Sequence, residues 1–347
     1  MHTSSHLSGE SLVVGRYELD KYVGRGRTSV VHTVKDVTPP AVIKVYRYKS
    51  DDPEAFLDEW RKEIMYLVRL ASDYIPKVLD APVFSVIAGE EVRVHYCVVM
   101  ENAGVTIAQM IKETDRIPPE VARTIARDVC SGLAIIHKAG LTHTDIKPNN
   151  IFWDGKRGRI GDIAAIIETA NEEYCAAGTT SYWAPEFLYS EPRDPSIDIW
   201  ALGVTYFEMV SGDILFDAYA DTSTTYGGGL DDFGVPSIED GSDNSSVDNA
   251  DDTTDILTSS RMSLLYHKIL GPPPTNIREK MRGYYDRDGR PHFDREQTPV
   301  ALGDYVASWS GLDRDHISRV ISKLVCWDPA RRLKAAKAKA LFRDIKK

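Results

Sequence analysis

The stretch HTDIKPNNIFWDGKRGRIGDIA, starting at His143, sets Asp145, Lys147, Asn150 and Asp162 along a polar run that passes into apolar residues. Each of these types has a use in phosphoryl transfer. Asp145 is a candidate base for a hydroxyl proton, and Lys147 suits the neutralisation of a transferring phosphoryl group. Asn150 and Asp162 offer the hard oxygen donors that magnesium prefers. A polar loop with capping side chains accounts for one such pair; four residues at this spacing point to a ligand.

Two stretches nearer the N-terminus bear on the same chemistry. VGRGRTSVV, from Val23 to Val31, lies between strand-like runs. Gly24 and Gly26 would let the backbone approach a polyphosphate, and Val31 would cover a flat base. A glycine pair in a hairpin is more often just a turn, and the third small position here is Ser29. In AVIKV, Lys44 interrupts an otherwise apolar strand. Such a lysine normally points to solvent. The helix that follows offers Glu63 as an ion-pair partner that would hold the ammonium against phosphates, with Glu59 one turn earlier as the competitor.

The elements that must position these groups are legible as periodicity. YELDKYV, VVHTVKDV and AVIKVY read as strands, as do PVFSVIA and VRVHYCVVM, which Ala88-Gly89-Glu90 joins. Between them DDPEAFLDEWRKEIMYLVRL places Phe56, Trp60, Ile64, Leu67 and Val68 at helical spacing after an Asp and Pro start. Beyond Met100 helical periods dominate. PPEVARTIARDVCSGLAIIHKAG carries Val121, Ile125, Val129, Leu133 and Ile136 on one face and ends at Gly140. SIDIWALGVTYFEMVSG is apolar nearly all round, as a helix buried inside its domain would be. A β-rich portion followed by an α-rich one predicts an α+β chain of two unequal lobes.

Composition narrows the setting. A chain of 347 residues is long enough for two lobes, each with its own core. It shows no basic and apolar leader and no apolar run long enough for a membrane span, so an intracellular, soluble protein is expected. Cys97, Cys130, Cys175 and Cys326 are scattered without CxxC spacing, which suggests neither a zinc site nor a disulfide framework. The net charge of -10 argues against direct nucleic-acid binding, but it is uneven. Between Asp217 and Asp255 stand eleven acids and neither Lys nor Arg. Residues 217–260 are rich in Asp, Ser, Thr and Gly and are expected to form a disordered insertion, either a passive solvated loop, a region that steers a basic substrate, or a target of phosphorylation.

Taken together, these motifs resemble those of eukaryotic protein kinases, in order from about Arg16 to the C-terminus. The resemblance implies the bilobal kinase fold: a flexible tail over 1–15, an N-lobe over 16–101 and a C-lobe over 102–347. It makes Gly24, Gly26 and Val31 the glycine-rich loop, Lys44 the phosphate-holding lysine and Glu63 its helix partner. Met100 becomes the gatekeeper, Glu101 and Ala103 the hinge that binds adenine, and Val42 and Phe152 further members of the nucleotide site. His143-Thr144-Asp145 resembles the catalytic HRD triplet, Asn150 and Asp162 the magnesium ligands, and Asp162-Ile163-Ala164 the DFG triplet. GTTSYWAPE resembles the end of an activation segment, with Thr179 and Lys147 agreeing with serine/threonine specificity. Asp198 resembles the brace beneath the catalytic loop, and Arg332 the buried partner of Glu186. ATP, magnesium and protein substrates are implied, as is a monomer in the cytoplasm or nucleus.

Three features depart from or refine that pattern. Thr144 replaces an arginine that commonly grips an activation-loop phosphate, so the segment is expected to be held by packing. HTDIKP, GDILFD and LGPPPTNIREKMR resemble the SR-protein kinases, which implies basic or Ser/Arg-rich substrates, although Trp183 stands where that branch usually has arginine. Ala164 replaces the DFG glycine, and its Cβ is expected to restrict the loop or misplace Asp162. A nucleotide-binding scaffold without transfer is the alternative that this substitution raises.

Overall fold

Alternation of inward and outward side chains builds the first unit. In the computed structural model, which describes residues 13–25, 29–46, 53–88, 91–169, 178–189, 194–217, 252–292 and 314–343, the strands are β1 (Val13–Val14), β2 (Tyr17–Arg25), β3 (Ser29–Val34), β4 (Ala41–Tyr46), β5 (Val78–Asp80), β6 (Val83–Ala88) and β7 (Glu91–Glu101). They pair antiparallel in the order β1-β2-β3-β4-β7-β5, with β6 also on β7. One face carries Val14, Tyr17, Leu19, Val34, Ala41, Ile43, Cys97 and Val99 as a buried cluster. The other face, by the register Val31↔Lys44, Val42↔Met100 and Lys44↔Val98, presents Val31, Val42, Lys44, Tyr46, Val98 and Met100 together. The helix expected after β4 is α1 (Pro53–Arg69).

Three boundaries differ from expectation. The tail was expected to run to residue 15, but Val13 and Val14 pair with Glu18 and Tyr17, and Val14 is buried. Val14, across the Gly15 turn from Tyr17, gains more from the buried cluster than from water, while Val13 stays exposed. The first unit also runs past residue 101 to Thr106 and includes Asn150–Ala164. The reason is strand pairing: β8 (Val105–Thr106) lies on β10 (Ile151–Trp153), which pairs with β11 (Gly158–Ile160).

The second unit is helical, with a short pair formed by β9 (Leu141–Thr142) and β12 (Ile167–Glu168). Its helices are α2 (Ile107–Thr114), α3 (Pro119–Lys138), α4 (Ser196–Ser211), α5 (Asp252–Leu270), α6 (Thr275–Arg278), α7 (Arg314–Leu324) and α8 (Ala335–Ala338). The α3 face buries Ile125, Val129, Leu133 and Ile136 as its period requires, and Gly140 follows at φ 75°. In α4 nearly every side chain is buried, and Gly212 closes it in the left-handed region, at φ 86°. Trp200 of α4 stacks on Phe216 at 5.4 Å and meets Tyr266 of α5 edge-on at 5.3 Å. The third boundary is that of the acidic insertion: α5 begins at Asp252, inside the 217–260 range expected to lack regular structure. Met262, Tyr266 and Ile269 are buried and anchor this helix. Most of the insertion, together with Gly26 and Cys175, lies outside the described residues.

Among the described residues no helix is long and apolar enough to cross a membrane. Cys97, Cys130 and Cys326 are free thiols, and burial pushes the Cys97 thiol up to about 12. Burial likewise pushes up the thiols of Cys130 and of the half-buried Cys326, which disfavours the thiolate.

Candidate active site

Within the first unit, Lys44 Nζ contacts Glu63 Oε1 at 2.7 Å and Oε2 at 2.9 Å, with side chains only 13% and 4% exposed. The choice left open by the sequence is thus resolved: Glu63 is the partner, and Glu59 faces solvent. The pair forms because β4 turns Lys44 away from the buried cluster and α1 sets Glu63 on the same stripe as Phe56 and Trp60. Gly24 pairs with Val31 across the β2–β3 hairpin, and a Cβ on Gly24 would meet nothing within 4 Å. Glu101 spends its backbone N–H on Lys77 O at 2.9 Å, and Ala103 is buried.

The β10–β11 hairpin brings the two candidate magnesium ligands together. Gly161 N donates to Asn150 O at 2.8 Å, which sets Asp162 beside Asn150 on adjoining strand ends. Asn150 is buried, while Asp162 is exposed and holds φ 54°. Phe152 lies against Gly161 so closely that a Cβ there would stand 2.4 Å from its ring. Glycine before Asp162 is therefore needed for packing. Among the described residues no group of three or more His, Cys, Asp or Glu could enclose a metal. An amide and a carboxylate that leave most positions to phosphate oxygens and water fit magnesium, which seldom takes an all-protein cage.

Within the second unit, Asp145, Lys147 and Thr179 close a triangle. Lys147 Nζ lies 2.8 Å from Asp145 Oδ2 and donates to Thr179 Oγ1 at 2.6 Å, and Thr179 donates to Asp145 Oδ1 at 3.2 Å. Both carboxylate oxygens are thereby oriented. Gly178 precedes this threonine at φ 102°, where a Cβ would stand 2.8 Å from Thr144 O, so the segment end can approach the His143–Asp145 loop only as glycine.

Asp198 holds the loop from its own buried position on α4. It accepts from His143 N and Thr144 N at 2.9 Å each, and His137 Nε2 stands 2.8 Å away. Burial disfavours its charge, but the bond and charge of His137, the charge of His143 and the backbone bond hold its carboxyl below the ordinary value of 3.8. A carboxylate depressed in the native state contributes stability that is complete above its unfolded value and is lost as pH falls through the native one. Urea unfolding between about pH 5 and about pH 3 is therefore expected to show a shallower loss of stability for Asp198→Asn than for the wild type.

The two substitutions that raised doubt are both accommodated. Thr144, at φ 70°, donates its hydroxyl to Ala165 O at 2.9 Å, linking the His143–Asp145 loop to the residue after the DIA triplet. Ala164 lies in a single 3-10 turn, Ile163–Ala165, a right-handed conformation that any L residue adopts. The positive φ falls on Asp162 instead, so the expected strain at Ala164 is absent. Ile163 is buried.

Several site residues escaped the sequence reading. Tyr46 reaches Glu63, and His137 reaches Asp198 across a sequence separation of 61. Tyr182 donates to Glu208 Oε2 at 2.6 Å. Burial, with the charges of Asp213 and Asp217, pushes the Glu208 carboxyl up, while the Tyr182 hydroxyl pulls it back. A period-two reading of AVIKVY puts Tyr46 on the face of Lys44 and could have found the first of these; the others join residues that no local period connects.

Comparison with known proteins adds a consistent result. The model of the protein kinase domain matches residues 17–341. A probable serine/threonine-protein kinase of Clostridium acetobutylicum is 27% identical over 60% of this chain and 32% of its own length. The serine/threonine-protein kinase PknL of Mycobacterium tuberculosis is 28% identical over 62% of this chain and 54% of its own. A probable serine/threonine-protein kinase of Dictyostelium discoideum is 28% identical over 62% of this chain and 15% of its own. The matched region thus spans about half, or less, of the length of these relatives.

Proposed function

We propose, from the premise that the chain belongs to the protein kinase domain family, that it transfers the γ-phosphoryl group of ATP to serine and threonine hydroxyls of proteins. The observation that carries this reading is the Asp145–Lys147–Thr179 triangle. Asp145, fixed through both oxygens, orients the acceptor hydroxyl and takes its proton, while Lys147 balances charge on the transferring group. Lys44, aligned by Glu63, holds the non-transferred phosphates. Asn150 and Asp162 would hold magnesium, which supplies charge neutralisation on the phosphates when bound. Val31, Val42, Met100 and Phe152 would cover the adenine, with Glu101 and Ala103 offering backbone groups to its edge. The chain's own work is positioning and charge stabilisation.

The substrates in this reading are basic segments, with Ser/Arg repeats as the leading class. Negative charge gathers on the second unit at Glu208, Asp213 and Asp217, near the Tyr182 end of the segment that carries Thr179. The HTDIKP loop supports the same class through its likeness to the SR-protein kinases. Labelled phosphate from ATP and magnesium is expected to enter a Ser/Arg-repeat peptide and a basic protein at least about tenfold faster than an acidic peptide of equal serine content, with the advantage shrinking as salt rises. Equal rates would remove the basic preference, and no label in any substrate would remove the transferase reading.

A further inference from the structure

We propose that Tyr46 is a positioning residue for phosphoryl transfer, whose hydroxyl locks Glu63 onto Lys44 and whose ring anchors an aromatic clasp that holds α1 against the sheet. The inference rests on the transferase reading above for its kinetic consequence, but its structural basis lies wholly within the first unit.

Tyr46 follows Lys44 by two residues in β4, so both side chains leave the same face of the sheet. Its buried hydroxyl donates to Glu63 Oε2, the oxygen that Lys44 Nζ also contacts at 2.9 Å. Glu63 Oε1 faces Lys44 Nζ at 2.7 Å. The carboxylate therefore has a second donor besides the lysine, and rotation about its terminal bond would break three contacts rather than two. The Tyr46 ring also lies 5.0 Å from the Lys44 ammonium, so the residue touches both members of the pair. Burial and the Glu63 charge keep the phenol protonated, so it remains a donor throughout the working pH range.

The ring continues into α1. Tyr46 meets Phe56 edge-on at 6.4 Å, Phe56 meets Tyr96 of β7 at 5.4 Å, and Tyr96 meets Trp60 at 5.2 Å. Trp60 Nε1 then donates to Cys97 O at 3.2 Å. Phe56, Trp60 and Glu63 share one stripe of the helix, so this chain of rings fixes its rotation and height over the strands. A helix fastened in this way needs no outside contact to present Glu63. Lysine in a half-buried strand would otherwise draw the carboxylate alone, through a long side chain with much rotamer freedom.

The test is a double-mutant cycle with steady-state kinetics. Tyr46→Phe keeps the ring and removes the hydroxyl. It is expected to lower kcat about tenfold, to change KM for ATP by less than about twofold, and to have no further effect on kcat in a Glu63→Gln background. An unchanged kcat in Tyr46→Phe, or an equal drop in the Glu63→Gln background, would overturn the proposal, because Tyr46 would then not act through Glu63. Phe56→Leu, which removes a ring of the clasp away from the hydroxyl, is expected to show the same pattern and carries the test if Tyr46→Phe fails to fold. Amide hydrogen exchange along α1 supplies a readout independent of catalysis. Faster exchange in folded Phe56→Leu supports the clasp even if the wild type transfers no phosphate, a result that would remove the transferase reading alone. Unchanged exchange in Phe56→Leu removes the clasp.

Discussion

Asp145→Asn is expected to fold normally and to lower kcat for phosphoryl transfer by about 10²- to 10⁴-fold, with little change in KM for ATP. The carboxylate accepts from Thr179 through one oxygen and faces Lys147 through the other. An amide is nearly the same size but has one acceptor where the acid has two, and its NH2 group would face a donor. It also cannot take a proton from an acceptor hydroxyl. Nucleotide contacts assigned to the first unit do not involve this residue, so ground-state ATP binding is expected to persist. Single-turnover rates, an ATP titration and a melting curve on the same preparation separate these effects. Retention of more than about a tenth of the wild-type rate would move the base role away from Asp145.

Removing one member of the Arg332–Glu186 pair is expected to have the largest effect on stability. Arg332 Nη2 donates to Glu186 Oε2 at 2.7 Å and Nη1 donates to Oε1, with both residues buried. Arg332 Nε also donates to Cys326 O at 3.0 Å, and the guanidinium lies 5.0 Å from the Trp200 ring centre. One side chain thus ties the segment after Thr179 to α4 and to the C-terminal part of the unit. Arg332→Met would leave Glu186 charged in a dry site with only the long Ser196 Oγ contact at 3.5 Å, at a cost of about 3–5 kcal/mol. The double variant Arg332→Met, Glu186→Leu is expected to recover a large part of that loss, because two well-packed apolar side chains need no solvation. Urea denaturation of the single and double variants measures both. A single-variant loss below about 1 kcal/mol would mean that water reaches Glu186.

Much of this arrangement is legible in the amino-acid order. The helices α1, α3 and α4 and the strands β2, β3, β4, β6 and β7 follow from local periods, and Gly140 and Gly212 mark ends that require a left-handed residue. The helical start of α5 is hidden because its first turns are as polar as the insertion before them. β1, β8 and β12 are only two residues long and exist only through their strand partners. Thr144 and Asp162 illustrate a further limit: both are non-glycine residues at positive φ, a choice that local propensity opposes and that the surrounding bonds impose.

By itself, then, the sequence determined the inventory: which groups could accept a proton, neutralise a phosphate or hold magnesium, and the strands and helix that carry Lys44 and Glu63. These properties reside in single residue types and in periods of two or 3.6, so they are complete within a short window. The tertiary structure alone decided that Tyr46 shares the Glu63 carboxylate, that His137 meets Asp198 and that Tyr182 meets Glu208. It also decided that Ala164 fits without strain, because the right-handed turn shifts the positive φ to Asp162. Such choices depend on the direction of each side chain after distant strands and helices have packed, and a buried ion pair or hydrogen bond forms only where that packing removes water from both partners at once.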